Sequence, residues 1–177
     1  MYEIRIHGLG GQGVVTMTDI LALACFYEGK QVQAFPHFGP ERTGAPVTGF
    51  IRLDDKQINL KQQIYSPDLI IVLDDSLLDK KVNISAGAKT GTKLLINTKR
   101  PSETLSALVG LPAKAISVCQ PDPALGKSAN IFILGQAAKL YNLASLNNCS
   151  KAVKLKMSGL DKNILKNNLN ALKQGYA

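Results

Sequence analysis

Gly8-Leu-Gly-Gly-Gln-Gly13 joins an alternating run, Tyr2-Glu-Ile-Arg-Ile-His7, to an apolar one, Val14-Val-Thr-Met-Thr-Asp-Ile-Leu-Ala-Leu-Ala-Cys-Phe-Tyr-Glu28. Tyr2, Ile4 and Ile6 fall on one face of an extended segment, which is the pattern of a strand. Beyond Gly13 the apolar residues recur at three and four, Ala and Leu favour helix, and Gly29 stands where a C-terminal cap belongs. Strand, glycine turn and helix together open an α/β unit. The glycines allow positive φ and the close approach of another group. Unpaired N–H groups at the helix start suit an anion or a carbonyl oxygen.

The same alternation of elements continues. Residues 31–35, 47–53, 69–73, 93–97 and 114–119 read as strands, the third continuous and β-branched as in a strand buried on both faces. Residues 57–60 are expected to return as a short strand, forming a hairpin across 54–56. Residues 36–46 hold three prolines and two glycines and read as a loop. Helices are expected at 102–109, 130–143 and 161–174, the last with Ile164, Leu165, Leu169 and Leu172 in a stripe and lysines facing away. This predicts a three-layer α/β/α domain over residues 1–177 with a mixed, mostly parallel sheet. It is Rossmann-like but departs from the standard dinucleotide fold.

Composition narrows the function. No apolar run is long enough to span a bilayer, and the N-terminus lacks the pattern of a signal peptide, so a cytoplasmic protein that does not enter membranes is expected. Cys25, Cys119 and Cys149 are widely spaced, with no C-x-x-C pair, and offer neither a self-contained cluster or zinc site nor a disulfide framework. The formal net charge of +8 is unevenly spread: residues 1–79 balance to −4 and residues 80–177 to +12. Such a basic half could meet an acidic partner, a phosphorylated ligand or only solvent. Dispersed lysines, scarce aromatics and the absence of a recognition motif argue against nucleic acid.

Gly8, Gly10 and Gly13 satisfy G-x-G-x-x-G. A dinucleotide fingerprint also needs an acidic residue at the end of the second strand to hold the ribose hydroxyls. Here that strand ends Gln33-Ala-Phe-Pro36, and Glu28 lies at the helix end instead. A phosphate-binding P-loop is excluded because no Gly-Lys-Ser/Thr closes the motif. The glycines could equally serve close strand–helix packing. The second signal is the loop Phe35-Pro-His-Phe-Gly-Pro-Glu-Arg-Thr-Gly-Ala-Pro-Val47, which sets Glu41 and Arg42 between rigid turn residues. Asp74 and Asp75 end a parallel-type strand, but neighbours along a strand diverge and make a poor acid/base pair. The sequence shows no catalytic constellation of its own.

Taken together, Gly8-Leu-Gly-Gly-Gln-Gly-Val-Val15, the loop just quoted and Phe50-Ile-Arg52 resemble the gamma subunit of pyruvate:ferredoxin oxidoreductases. Ile64-Tyr-Ser-Pro-Asp68, Ile70-Ile-Val-Leu-Asp74, Asn130-Ile-Phe-Ile-Leu-Gly135 and Asn168-Leu-Asn-Ala-Leu-Lys-Gln-Gly-Tyr176 extend the likeness along nearly the whole chain. The resemblance implies a non-catalytic subunit of a complex that decarboxylates a 2-oxoacid, reduces ferredoxin and releases acyl-coenzyme A. It implies partner alpha, beta and delta subunits, which carry thiamine diphosphate, Mg and iron–sulfur clusters, with no cofactor held by this chain alone. Gly44-Ala-Pro46 favours pyruvate as substrate over 2-oxoglutarate, 2-oxoisovalerate or indolepyruvate. Thr43, and Met17 with Thr18, depart mildly from the family pattern. Gly8, Gly10, Gly11, Gln12, Gly13, Phe38, Gly39, Pro40, Glu41, Arg42, Gly44, Ala45 and Pro46 are the expected ligand or subunit contacts. A variant has the basic half, through lysines such as Lys127, approaching the phosphates of coenzyme A. The rival reading is a stand-alone dinucleotide-binding protein.

Overall fold

A computed structural model describes residues 1–37 and 44–177. Six strands form one sheet: β1 (Tyr2–Leu9), β2 (Gln31–His37), β3 (Pro46–Asp54), β4 (Leu69–Val72), β5 (Lys93–Asn97) and β6 (Ile116–Cys119), in the spatial order β2-β3-β1-β4-β5-β6. β1, β4, β5 and β6 run parallel, and β3 is antiparallel to both β1 and β2. The expected mixed, mostly parallel sheet is present, with helices on both faces. The hairpin is not where the turn signal at 54–56 suggested. Residues 57–60 form no strand, and β3 pairs instead with β2, across the glycine- and proline-rich loop. Asp54 turns back on its own chain, its Oδ1 accepting from the N–H groups of Asp55 and Lys56. The segment that follows is tied to the sheet by side chains, the Leu60 carbonyl accepting from Gln33 Nε2 and the Gln63 carbonyl from Arg52 Nη2.

Alternation along β1 assigns the faces. Ile4 and Ile6, both fully buried, join Ile51, Leu53, Leu69, Ile71 and Leu95 on one side. Against this face pack α1 (Val14–Tyr27), α4 (Ala129–Leu140), α5 (Leu146–Lys156) and α6 (Lys162–Tyr176). Each fully buried aliphatic side chain contributes roughly 1.5–3 kcal/mol. On the opposite face Ile70, Val72, Leu94 and Ile96 pack under α2 (Ser76–Asp79) and α3 (Ser102–Val109).

Helix ends follow local chemistry. α1 stops in a Schellman arrangement, with Gly29 at φ 86° and the N–H groups of Gly29 and Lys30 bonded to the carbonyls of Phe26 and Cys25. α4 ends at Leu140, three residues before the expected Leu143. α5 carries only a weak periodic signal, because its buried residues, Cys149, Ala152 and Val153, are few and sit among polar ones. Its start is marked by Ser145, whose hydroxyl accepts from the Asn148 N–H. α4 and α6 approach until a side chain at Gly135 would meet the Leu172 carbonyl and one at Gly175 the Phe132 carbonyl.

Candidate functional site

The glycine turn and the base of the proline-rich loop are one structure. β1 and β3 pair Gly8 with Val47 and Leu9 with Pro46. Beyond that register the Gly10 N–H donates to the Ala45 carbonyl at 2.8 Å, and the Gly44 N–H donates to the Gly10 carbonyl at 3.2 Å. Two motifs more than thirty residues apart in sequence therefore share a short ladder. Gln12 locks the turn from within: its Oε1 accepts from the Leu9 N–H at 2.7 Å, and its Nε2 donates to Asp74 Oδ2 at 2.5 Å. Gly8 is hemmed in by Val14, Gln12 and Leu73, so a side chain there would collide.

Gly13 carries the transition into α1. Its φ of 77° is a left-handed conformation that glycine adopts without strain, and a Cβ would strike the Asn130 side chain. The Gly13 carbonyl accepts from the Met17 N–H at 2.9 Å and from Asn130 Nδ2 at 3.2 Å. Asn130 is itself only 8 % exposed, and its Oδ1 has no hydrogen-bond partner among the described residues. A cleft of about 300 Å³ opens here, lined by Gly11, Gln12, Asp74, Asn97, Lys127 and Asn130. Ala129 and Asn130, at the start of α4, line it, and the positive end of that helix dipole favours negative charge there.

Asp74 is held ionised. Partial burial pushes its carboxyl up, but hydrogen bonds from Ser76 and Gln12 outweigh that and leave it below the ordinary aspartate range. Asp75 turns elsewhere, accepting from the Thr98 hydroxyl and pairing with Arg100 at 3.4 Å. The two carboxylates thus serve different structural partners, as their adjacency implied. The cleft can accept a ligand that donates a hydrogen bond to Asn130 Oδ1 and brings negative charge towards Lys127.

Of the expected contact residues, Gly8, Gly10, Gly11, Gln12, Gly13, Gly44, Ala45 and Pro46 come together at this corner. Phe38, Gly39, Pro40, Glu41 and Arg42 lie outside the described residues. The acid required by a dinucleotide site is not supplied by β2, which ends Phe35-Pro36-His37, and Glu28 has another task. Its Oε1 accepts from the Ser145 N–H and hydroxyl and from Asn148 Nδ2, all at 2.7 Å, capping α5. Asn97 and Asn130 were missed as site residues. Asn97 lies on β5, two strands from β1, and Asn130 on α4, far along the chain, so only the fold brings them to the glycines.

Residues 3–177 match the family model described as pyruvate ferredoxin/flavodoxin oxidoreductase. The chain belongs to this family. It is 49 % identical over 164 residues to the pyruvate/ketoisovalerate oxidoreductases common subunit gamma of Thermococcus litoralis, covering 90 % of this chain and 88 % of that one. It is 40 % identical over 156 residues to pyruvate synthase subunit PorC of Methanothermobacter marburgensis, covering 87 % and 85 %. Among solved structures it superposes on pyruvate oxidoreductase subunit PORC of Thermotoga maritima with a TM-score of 0.82 and 29 % identity, over 99 % of this chain and 94 % of that one. Within the family it is a gamma-type subunit of a ferredoxin oxidoreductase complex. Cys25, Cys119 and Cys149 are buried, burial pushes each thiol up to about 12, and no group of three or more His, Cys, Asp or Glu among the described residues could hold a metal. No helix of the described residues is long and apolar enough to cross a membrane.

Proposed function

We propose that this chain is the gamma subunit of a cytoplasmic pyruvate:ferredoxin oxidoreductase, in which the glycine turn and the loop base meet the alpha subunit beside the active-site entrance. Thiamine diphosphate with Mg, and the iron–sulfur clusters, belong to the alpha, beta and delta subunits in this reading, and ferredoxin is reached through them. The observation that carries the proposal is the ladder between Gly10 and Gly44–Ala45, which joins the glycine turn and the base of the proline-rich loop into one surface. The adjoining cleft, with Lys127 and the unpartnered Asn130 Oδ1, suits coenzyme A, whose amides donate hydrogen bonds and whose phosphates are anionic.

Reconstitution with the subunits encoded beside it tests this. Coenzyme A-dependent pyruvate oxidation should require the chain, and Lys127→Gln should raise the KM for coenzyme A while leaving that for pyruvate unchanged. A complex that forms and turns over at full rate without the chain would refute the assignment. A second reading is a gamma subunit serving another 2-oxoacid, and it is favoured by the relative whose name joins pyruvate with ketoisovalerate. Equal turnover of pyruvate and 2-oxoisovalerate by two complexes sharing the chain would establish it.

A further inference from the structure

We propose that a second pocket, at the opposite end of β5 from Asn97, binds a phosphorylated small molecule. Its volume is about 590 Å³, within the range of roughly 300–1,000 Å³ typical of small-molecule sites. One wall, formed by residues 85–93, presents Ser85, Lys89, Thr90 and Lys93, and Lys114 faces in from before β6. The other wall is apolar, with Val109, Leu111 and Ala115. No acidic side chain among the described residues lines the pocket. Leu94 pairs with Ile116 in the parallel ladder, so Lys93 and Lys114 flank the same end of adjacent strands. Lys89 is neutralised by Asp68 at 2.8 Å, whereas neither Lys93 nor Lys114 has an ion pair among the described residues.

The polar wall is fixed in place before any ligand arrives. Buried Arg5 donates through Nη2 to the carbonyls of Ile84 and Ala86 at 2.7 and 2.8 Å. The Thr92 hydroxyl donates to the Pro67 carbonyl at 2.7 Å and accepts from the Lys89 N–H at 2.9 Å. Gly87 sits so close to the Tyr65 carbonyl that no side chain would fit. A backbone held this firmly confines the ordering cost of binding to the lysine side chains. Two uncompensated ammonium groups and hydroxyl donors suit phosphate, and the apolar wall suits the organic body that bears it. An acidic peptide would need an extended groove rather than this local concavity.

Calorimetric titration of the full-length chain with ADP and with inorganic pyrophosphate tests the assignment. ADP should bind, and more tightly than pyrophosphate because of the apolar wall. Lys93→Gln and Lys114→Gln should each weaken it on the order of tenfold, the value of one charge-assisted contact. Both lysines are exposed, so unchanged circular dichroism should accompany the loss. Amide shifts on ADP addition should centre on Thr90, Gly91 and Gly110. The proposal is overturned if neither probe binds, or if Lys127→Gln abolishes binding while the two variants leave it intact. Binding of an oligoglutamate peptide in preference to ADP would also overturn it.

Discussion

The two faces of β1 are built by different means. Ile4 and Ile6 point into an apolar layer under α1 and α4–α6, while Glu3, Arg5 and His7 point into a polar layer covered by chain segments without helix. Arg52 lies fully buried at the centre of that second layer. Its guanidinium donates to Glu3 Oε1 at 2.8 Å, Gln33 Oε1 at 2.9 Å and the Gln63 carbonyl at 3.1 Å, and stands 5.8 Å from the centre of the Phe35 ring. The first face is held by area removed from water and by close packing. The second is held by directional bonds that tie residues 57–66 and 84–86 to fixed points on the sheet. The helical face supplies the bulk of cohesion, and the polar face supplies position for the loop base and for the wall at 85–93.

Removing the hub of the polar face is therefore expected to cost most. Arg52→Ala leaves the Glu3 carboxylate without its ion partner and frees the Gln63 carbonyl, a loss of about 3–5 kcal/mol. Urea unfolding measures it. A loss below about 1 kcal/mol would mean that the polar layer is decorative and that the contrast between faces fails. On the helical face, Ile6→Ala deletes a fully buried side chain and is expected to cost about 2–5 kcal/mol, through lost transfer energy and the cavity left behind. Ile6→Val should cost only about 0.5–1.5 kcal/mol, because an apolar contact degrades in proportion to what is removed. Arg52→Lys should not be rescued to the same degree, since an ammonium cannot reproduce three planar contacts.

The contrast also explains what was legible in the sequence. The Ile4/Ile6 alternation, the β-branched run ending at Val72 and the stripe on α6 are periodic signals of apolar burial, and they placed strands, helices and sheet type. The polar face has no such signal. Arg52, Glu3 and Gln33 look like solvated residues until the sheet sets them side by side, which is why residues 57–60 were read as a strand rather than as cover. At the site, the glycine and proline motifs announced themselves by composition. Their union through Gly10 and Ala45 depends on β3 lying next to β1, and the unpaired Asn130 Oδ1 depends on α4 docking at Gly13.

Acid should distinguish the faces further. His7 lies 7 % exposed, and its Nε2 accepts from Arg5 Nε at 3.0 Å, so in the neutral ring the proton sits on Nδ1, facing Thr48. Burial, and then the adjacent Arg5 charge, lower its pKa from 6.5 to about 3. The unfolded chain therefore binds a proton that the folded chain refuses between these values. The stability contributed by neutral His7 is full above pH 6.5 and is lost as pH falls towards 3, with a limiting slope of about 1.4 kcal/mol per pH unit. His7→Gln should flatten the stability profile between about pH 6.5 and 5 relative to the parent. Nuclear magnetic resonance should show no titration of the His7 ring across that range.

The smallest effect is expected at Glu28, a polar contact on the rim of the helical face. Its carboxylate caps α5 through Ser145 and Asn148, and the Ser145 backbone bond is the largest of the interactions that draw its pKa below the usual 4.5. Glu28→Ala should cost about 1 kcal/mol, the value of a helix cap, because the site is exposed and water replaces the lost acceptor. The sign of its pH dependence matches that of His7, but the window differs. A depressed carboxylate contributes stability above pH 4.5 that is lost as pH falls through the lowered pKa, so Glu28→Ala should leave the range from pH 6.5 to 5 untouched. Parallel acid titrations of Glu28→Ala and His7→Gln thus separate the rim of one face from the interior of the other. If Glu28→Ala also altered the slope above pH 5, α1–α5 packing would be coupled through the sheet to the Arg5–His7 layer, and the two faces would not be independent.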